Sequence, residues 1–402
     1  MELSGFQAPV EERDFAEIVG AAHGSKTPVA VEGLGSKLGM LRPVQAGMTL
    51  STRNHTGITL YSPREMIIAA RAGTPLSEIE AALAAENQQL TAETPDLSAL
   101  LGTAPGQTLG GALATNLSGP RRIAWGAMRD HVMGVRAVNG RGEIIRSGGR
   151  VLKNVTGLDL CKLLAGSNGT LGVLTEVTLK IQPRPEASGT LVLRGLDPAA
   201  AVAALSTGLG SPFGVSGAAF LPGWAAAEIP GLGDASVTLI RVEDFAASVA
   251  YRLGRLATDL ERRGLSEIVD EAESRRLWQA VRDVQPIRVA EGEAVWQVST
   301  RPSRGPTVLA AAEAAGARGF FDWGGGRLWL AGAGTETLHQ AIMAAVGREG
   351  GSWTLMRAPE ALRLSAAVVP PEVPALAALS QRVKLAMDPA RILNPGRLAA
   401  TL

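Results

Sequence analysis

The stretch GQTLGGALATNLSGPRR, residues 106–122, decides how this chain is read. It closes a longer run. From Leu97 to Pro120, 24 consecutive residues carry no formal charge and five are glycine, and then Arg121 and Arg122 arrive together. Such a run is long enough to cross a bilayer, but its two prolines, five glycines and seven polar side chains argue against insertion. Within a globular fold, Gly106, Gly110 and Gly111 let backbone approach a ligand closely, while Ala112, Ala114, Ser118 and Gly119 leave room for one. Successive backbone N–H groups in such turns form a concavity for anions. Arg121 and Arg122 then offer charge to an anionic ligand or partner. A tightly packed loop without any ligand is the competing reading.

Two more glycine-rich loops bear on that choice. VEGLGSKLG (31–39) follows a short apolar strand, TPVAVEG (27–33), and approaches a dinucleotide fingerprint. Yet residues 40–57 contain no acid for a ribose and no helical period, so the Rossmann reading fails. GAAHGSKT (20–27) imitates a P-loop, but its lysine stands one place late and its helix precedes the strand, the reverse of the required order. AGSNGTLGV (165–173) is the third loop, again small residues before a strand. Three such loops within 140 residues, each beside a strand, fit a long ligand cradled by main chain. A dinucleotide, with two phosphates and a flat ring at each end, has that shape.

Composition narrows the class. The chain has 402 residues, enough for two or three domains, with 46% hydrophobic and 19% charged residues. A net charge of +1 gives no field drawing it to nucleic acid or to an anionic membrane. The single cysteine, Cys161, excludes an internal disulfide framework and any iron–sulfur cluster held by this chain alone. The N-terminal MELSGFQAPVEERDF has early acids and no apolar core, so no signal peptide is expected and a cytoplasmic location follows.

The hydrophobic pattern gives an α+β fold. A helix is expected over 12–22 and strands over 27–33 and 65–73. Thr74-Pro75 reads as N-cap and first residue of a helix that buries Leu76, Ile79 and Leu83. Residues 131–149 read as a hairpin turning at Asn139-Gly140, 169–181 as β-rich and 182–186 as a linker. Between 189 and 357 strands and helices alternate, with helices near 198–207 and 245–263 and a hairpin through GFFDWGGGRLWLAG, as an α+β domain covering one sheet face requires. A helix near 373–387 precedes the tail MDPARILNPGRL. No internal repeat is apparent.

EGLGSK, ARAGTPLSEIEAAL, PGQTLGGALATNLSGPRR, RDHVMGVRAVNGRGE, VLKNVTGLDLCKLLAGSNGTLGVLTEVTLKI and DPARILNPGR together resemble the FAD-binding flavoproteins of the vanillyl-alcohol-oxidase type, which carry a PCMH-type FAD domain. Within that family the chain is most similar to the smaller FAD-binding subunits of bacterial glycolate oxidases. The resemblance is strong through 27–185 and looser beyond. It implies a two-subdomain FAD-binding domain over 1–185, an α+β cap domain over 186–370, and a helix and tail over 371–402 that return to the flavin. By motif position, Gly33, Gly35, Ser36 and Lys37 would hold the pyrophosphate. Gly106, Gly110, Gly111, Thr115, Asn116, Ser118 and Gly119 would wrap the other side of the cofactor, and Gly169, Gly172 and Val173 would add backbone contacts. Some relatives tether the flavin through a histidine in the first loop. Residues 31–39 contain none, so FAD is expected to be non-covalent.

Oxidising a 2-hydroxy acid needs a base for the hydroxyl proton, a cation for the carboxylate and hydride transfer to the flavin. Larger relatives carry paired histidines for this step. Here the histidines are His23, His55, His131 and His339, with one beyond residue 185, and no catalytic residue or metal site is assigned. Arg288, Arg301 and Arg304 are common surface cations that nothing ties together. The cap tryptophans and Cys161 read as core. The resemblance therefore implies a subunit that supports glycolate oxidation beside a larger histidine-bearing flavoprotein subunit, passes electrons to an iron–sulfur subunit, and touches a membrane only indirectly if at all. A self-sufficient FAD-dependent 2-hydroxy-acid dehydrogenase and a non-catalytic scaffold are the alternatives.

Overall fold

The computed structural model describes residues 5–104, 106–149 and 158–399. Near the N-terminus the helix Glu12–Ser25 places Phe15, Ile18, Val19 and Ala22 on one buried stripe, the i, i+3, i+4, i+7 spacing of an amphipathic helix. That stripe covers a three-stranded parallel sheet ordered Gly5–Gln7, Met48–Ser51, Val29–Glu32. A second layer is a five-stranded antiparallel sheet, ordered Ile58–Ser62, Ile67–Arg71, Val173–Lys180, Val132–Val138, Ile144–Gly148. The helices Leu76–Ala85, Leu109–Thr115 and Leu160–Leu164 bury Leu76, Ile79, Leu83, Leu109, Leu113 and Leu164 in the same core as this sheet.

Local chemistry corrects several expectations. Thr74 does not cap the helix beginning at Leu76: its hydroxyl oxygen accepts a bond from Gly57 N–H at 2.9 Å, and Pro75 takes the cap position. Asn139-Gly140 is not a two-residue hairpin turn. The connection runs over residues 139–143, where the Asn139 side-chain oxygen accepts from the N–H groups of Arg141 and Glu143 at 2.9 and 3.0 Å. Gly140 instead donates to Met387 O at 2.8 Å, which brings the C-terminal helix onto this turn. The expected linker at 182–186 includes a short strand, Gln182–Pro183, paired with Gln88–Gln89.

From 187 to 357 one eight-stranded antiparallel sheet forms, ordered Ser266–Val269, Ala187–Arg194, Val237–Asp244, Val215–Leu221, Arg318–Asp322, Arg327–Ala333, Glu293–Ser299, Ser352–Arg357. Here a repeat that the sequence does not show is present in the connectivity. Apart from the short helix Gly223–Ala227 between its middle strands, the segment 187–269 runs strand, helix, strand, strand, helix, strand, and residues 293–357 repeat that βαββαβ order. Each unit places its first strand between its third and fourth, and the two join through their second strands, with Phe220 opposite Phe321. The repeat lies in topology alone: residues 222–236 link the middle strands of the first unit and residues 323–326 those of the second. Trp278, Trp296, Trp329, Phe220, Phe320 and Phe321 fill its core.

After the sheet, the helix Pro374–Met387 leads to a tail that returns to the first layer. Leu393 bridges Val29 in parallel. Buried Lys384 donates to Asp388 Oδ2 and Thr170 O, both at 2.7 Å, and to Leu393 O at 3.0 Å.

Candidate cofactor cleft

The turn after Val29–Glu32 forms one wall of a cleft of about 400 Å³, through Gly33, Gly35, Ser36 and Lys37. The opposite wall is one face of the helix Leu109–Thr115, through Gly110, Gly111 and Thr115. Asn168, Gly169 and Gly172 add a third side just before the strand Val173–Lys180, and Asn394, Arg363 and Arg397 close the fourth. Nine of the residues singled out by motif therefore stand around one cavity: Gly33, Gly35, Ser36, Lys37, Gly110, Gly111, Thr115, Gly169 and Gly172.

The close approach of the walls explains the glycines at two positions. A Cβ on Gly33 would stand 2.4 Å from Thr108 Oγ1, the hydroxyl that accepts Gly111 N–H and caps the helix. Gly169 has φ +72°, and a Cβ there would meet Asn394 Nδ2 at 2.7 Å. Asn394 in turn fixes two walls at once: its Oδ1 accepts Val31 N–H and its Nδ2 donates to Asn168 O, each at 2.7 Å. The tail LNPGR is thus a strut, and the motif positions taken from the three glycine loops did not include it.

Electrostatically the cleft is not neutral. Burial pushes the Lys37 ammonium down to about 8, although Asp96 opposes the shift, and its Nζ donates to Gln107 Oε1 at 2.9 Å. Burial and the neighbouring Arg363 guanidinium push Arg397 down to about 10. Among the described residues, no histidine, cysteine or tyrosine lines the cavity.

The structure does not bring the remaining motif residues to the cavity wall. Gly106 has φ +102° and lies beside Leu34. Asn116 ends the helix in the left-handed region and accepts Arg129 N–H at 3.1 Å. Val173 is core. Ser118 and Gly119 turn to the eight-stranded sheet: Ser118 O accepts from Arg327 Nη1, and Gly119 O accepts from Trp323 Nε1 at 3.0 Å.

Arg121 has the same fate, which corrects its reading as charge for an anionic ligand or partner. Arg121 donates to Glu243 Oε1 at 2.5 Å and Oε2 at 3.1 Å. Arg241 donates to Glu93 Oε1 and Oε2 at 3.1 and 3.2 Å, and Ser216 Oγ donates to Glu243 at 2.7 Å. Burial alone would raise Glu243, but the Arg241 and Arg121 guanidiniums and these hydrogen bonds hold its carboxyl down to about 2. Arg122 lies over Trp323, 5.2 Å from its ring centre. A polar seam between this loop and the eight-stranded sheet occupies this position, and no strand residue of that sheet lines the cavity.

His339 is packed in the core, accepting Trp296 Nε1–H at 3.0 Å. His55 is buried beside Phe15. Arg288 pairs with Glu228, and Arg304 with Glu349 at 3.5 Å. Among the described residues, no three His, Cys, Asp or Glu side chains group as metal ligands, and no helix is long and apolar enough to cross a membrane.

Comparison with known proteins follows the same lines. Residues 4–148 match the FAD binding domain family. Across 389 residues the chain is 34% identical to glycolate oxidase subunit GlcE of Escherichia coli, covering 96% of this chain and 97% of that one. The chain belongs to the GlcE family. It is an FAD-binding oxidoreductase family, and FAD is the cofactor of this fold. More distant relatives match less than half of the chain. Glycolate oxidase subunit GlcD of Bacillus subtilis is 31% identical over 46% of this chain and 38% of its own length. A D-lactate dehydrogenase of Archaeoglobus fulgidus is 31% identical over 44% and 38%. Among solved structures, p-cresol methylhydroxylase superposes with a TM-score of 0.73 at 14% identity, covering 98% of this chain and 88% of that one. Alkyldihydroxyacetonephosphate synthase gives 0.71 at 18%, covering 97% and 76%. The chain thus has the vanillyl-alcohol-oxidase-type fold.

Proposed function

We propose that this chain is the FAD-bearing subunit of a glycolate-oxidising complex, that it holds FAD without a covalent bond, and that it relays electrons rather than oxidising substrate. The observation that carries the reading is the make-up of the cavity. Most of its walls are three main-chain turns and small side chains, which suit a flat dinucleotide, and its charged lining, Glu32, Lys37, Glu360, Arg363 and Arg397, comes from outside the strands of the eight-stranded sheet. Gly33, Gly35, Ser36, Lys37, Gly110, Gly111, Thr115, Gly169 and Gly172 would contact the cofactor, with Asn394 joining two of the turns. When bound, FAD supplies the isoalloxazine that takes up and hands on electrons. The relatives named as glycolate oxidase subunits support work in a multi-subunit enzyme. A larger flavoprotein subunit with the catalytic histidines would oxidise glycolate, and an iron–sulfur subunit would receive the electrons.

The purified chain is expected to bind FAD and to keep its flavin absorbance when glycolate is added without oxygen. Rapid bleaching would show a self-sufficient dehydrogenase, and a colourless chain that still joins its complex would show a scaffold. Acid precipitation tests the linkage separately. With no histidine, cysteine or tyrosine among the described residues of the cavity wall, the flavin is expected in the supernatant, and flavin in the protein pellet would refute a non-covalent site.

A further inference from the structure

Two arginines from outside the first layer hold the loop that follows Lys37. Arg363, on the helix Glu360–Ser365 just beyond the eight-stranded sheet, donates through Nε to Leu41 O at 2.6 Å and through Nη2 to Leu38 O and Met40 O at 2.8 and 3.0 Å. Arg397, in the tail, donates to Lys37 O at 2.8 Å and to Arg42 O at 3.0 Å. Five carbonyls of one six-residue loop are therefore bonded by two side chains, both of which also line the cavity. Backbone groups gathered this way would otherwise need water or a sheet partner. Residues 37–42 belong to no strand, and Leu41 has φ +54°, a conformation that side-chain-bearing residues seldom hold unaided.

The charge of the pair adds a second observation. Neither arginine makes an ion pair within 4 Å among the described residues. Burial pushes both guanidiniums down, with Glu360 opposing for Arg363 and Arg363 itself pressing on Arg397. Only 7% of Arg397 is exposed. Burying a cation beside another cation is costly, so the contact is retained against its own electrostatics and needs a compensating role.

We propose that Arg363 and Arg397 are positioning residues for the cofactor cleft: a two-armed clamp that turns the carbonyls of residues 37–42 outward and fixes the adjoining turn at 33–37 against the ligand. The inference rests on the reading of the cavity as the FAD site. One arm comes from the end of the cap domain and the other from the chain terminus, so the clamp also ties the conformation of this loop to both.

The test compares the wild-type chain with Arg363→Met, Arg397→Met and the conservative Arg397→Lys, using FAD titration by flavin fluorescence and amide hydrogen exchange of the flavin-free chain. Losing two or three charge-assisted bonds is expected to raise the FAD dissociation constant about ten-fold or more in each methionine variant. Exchange at residues 37–42 should accelerate while the eight-stranded sheet keeps its protection. Arg397→Lys, which keeps the charge but lacks the fork that spans two carbonyls, should fall between wild type and Arg397→Met. The clamp is refuted if both methionine variants bind FAD within two-fold of wild type, or if exchange rises equally throughout the molecule. Should a methionine variant fail to fold, Arg397→Lys carries both measurements. A wild-type chain that does not bind FAD would defeat the cofactor reading, and the exchange data on the flavin-free chain would still decide the clamp.

Discussion

Arg241→Met is expected to destabilise the folded chain by about 3–5 kcal/mol, the cost of leaving buried carboxylates without their cation. Arg241 stands between Glu93 and Glu243, and its side chain and that of Glu243 are 3% and 2% exposed. Urea unfolding followed by tryptophan fluorescence measures the loss, because Trp278 lies against the Arg241 guanidinium with its ring centre 4.7 Å away. Replacing Glu93, Arg121, Arg241 and Glu243 together by apolar residues of similar size should recover most of the loss, since the desolvation penalty disappears with the charges. A single-variant cost below about 1 kcal/mol would show that water reaches the cluster.

The same cluster sets an acid limit. The Glu243 carboxyl is held at about 2 in the folded chain against an ordinary 4.5. Its contribution, roughly 3 kcal/mol at 1.36 kcal/mol per unit, is present above pH 4.5 and lost as the pH falls through 2. Asp322 acts in the opposite sense. Burial raises its carboxyl to about 7, against the pull of Arg327 and the Trp323 N–H, so its contribution is present below 3.8 and lost as the pH rises through 7. Stability carried by these two groups is therefore expected to be greatest near pH ~4, between the ordinary values of the two carboxyls. In Glu243→Gln the acid-side loss should shrink while the alkaline-side loss remains.

Gly33→Ala has the largest effect expected on the cofactor. Its methyl would arrive 2.4 Å from Thr108 Oγ1, so either the first turn retreats or Thr108 gives up capping the Leu109–Thr115 helix. Both movements separate walls of the cleft, and overpacking of this kind costs about 1–3 kcal/mol, which corresponds to roughly a 5- to 150-fold rise in the FAD dissociation constant. The double variant Gly33→Ala/Thr108→Ala removes the clash at the expense of the cap. It is expected to bind FAD more tightly than Gly33→Ala alone, and weaker binding by the double variant would refute the steric account.

How much of this was legible in the sequence depends on the kind of signal. Gly33, Gly110 and Gly169 announced themselves because a turn that forbids a Cβ leaves glycine as its written trace. Helix faces such as Phe15, Ile18, Val19 and Ala22 were equally plain. Arg363 and Arg397 were not, since they are two of 33 arginines and act on carbonyls more than 300 residues away, without any local period. Arg121 was visible but misassigned. Adjacent cations look the same whether they await a ligand or face buried acids, and Glu243 gives no sign of its burial within VTLIRVED. The repeated βαββαβ unit was hidden because only connectivity and strand order repeat, while sequence and loop length do not.

The join between those two units has a consequence for how the molecule comes apart. At that seam the backbone pairing is the single register Phe220 opposite Phe321. The segment 118–121 of the cofactor domain reaches both sides of it, touching Glu243 in one unit and Arg327 and Trp323 in the other. It works as a keystone wedged from a neighbouring arch, adding polar bonds to a join whose apolar side chains already form one core. A piece cut to contain residues 187–357 alone would lose that wedge, so the sheet should be expressed and engineered together with the loop that locks it.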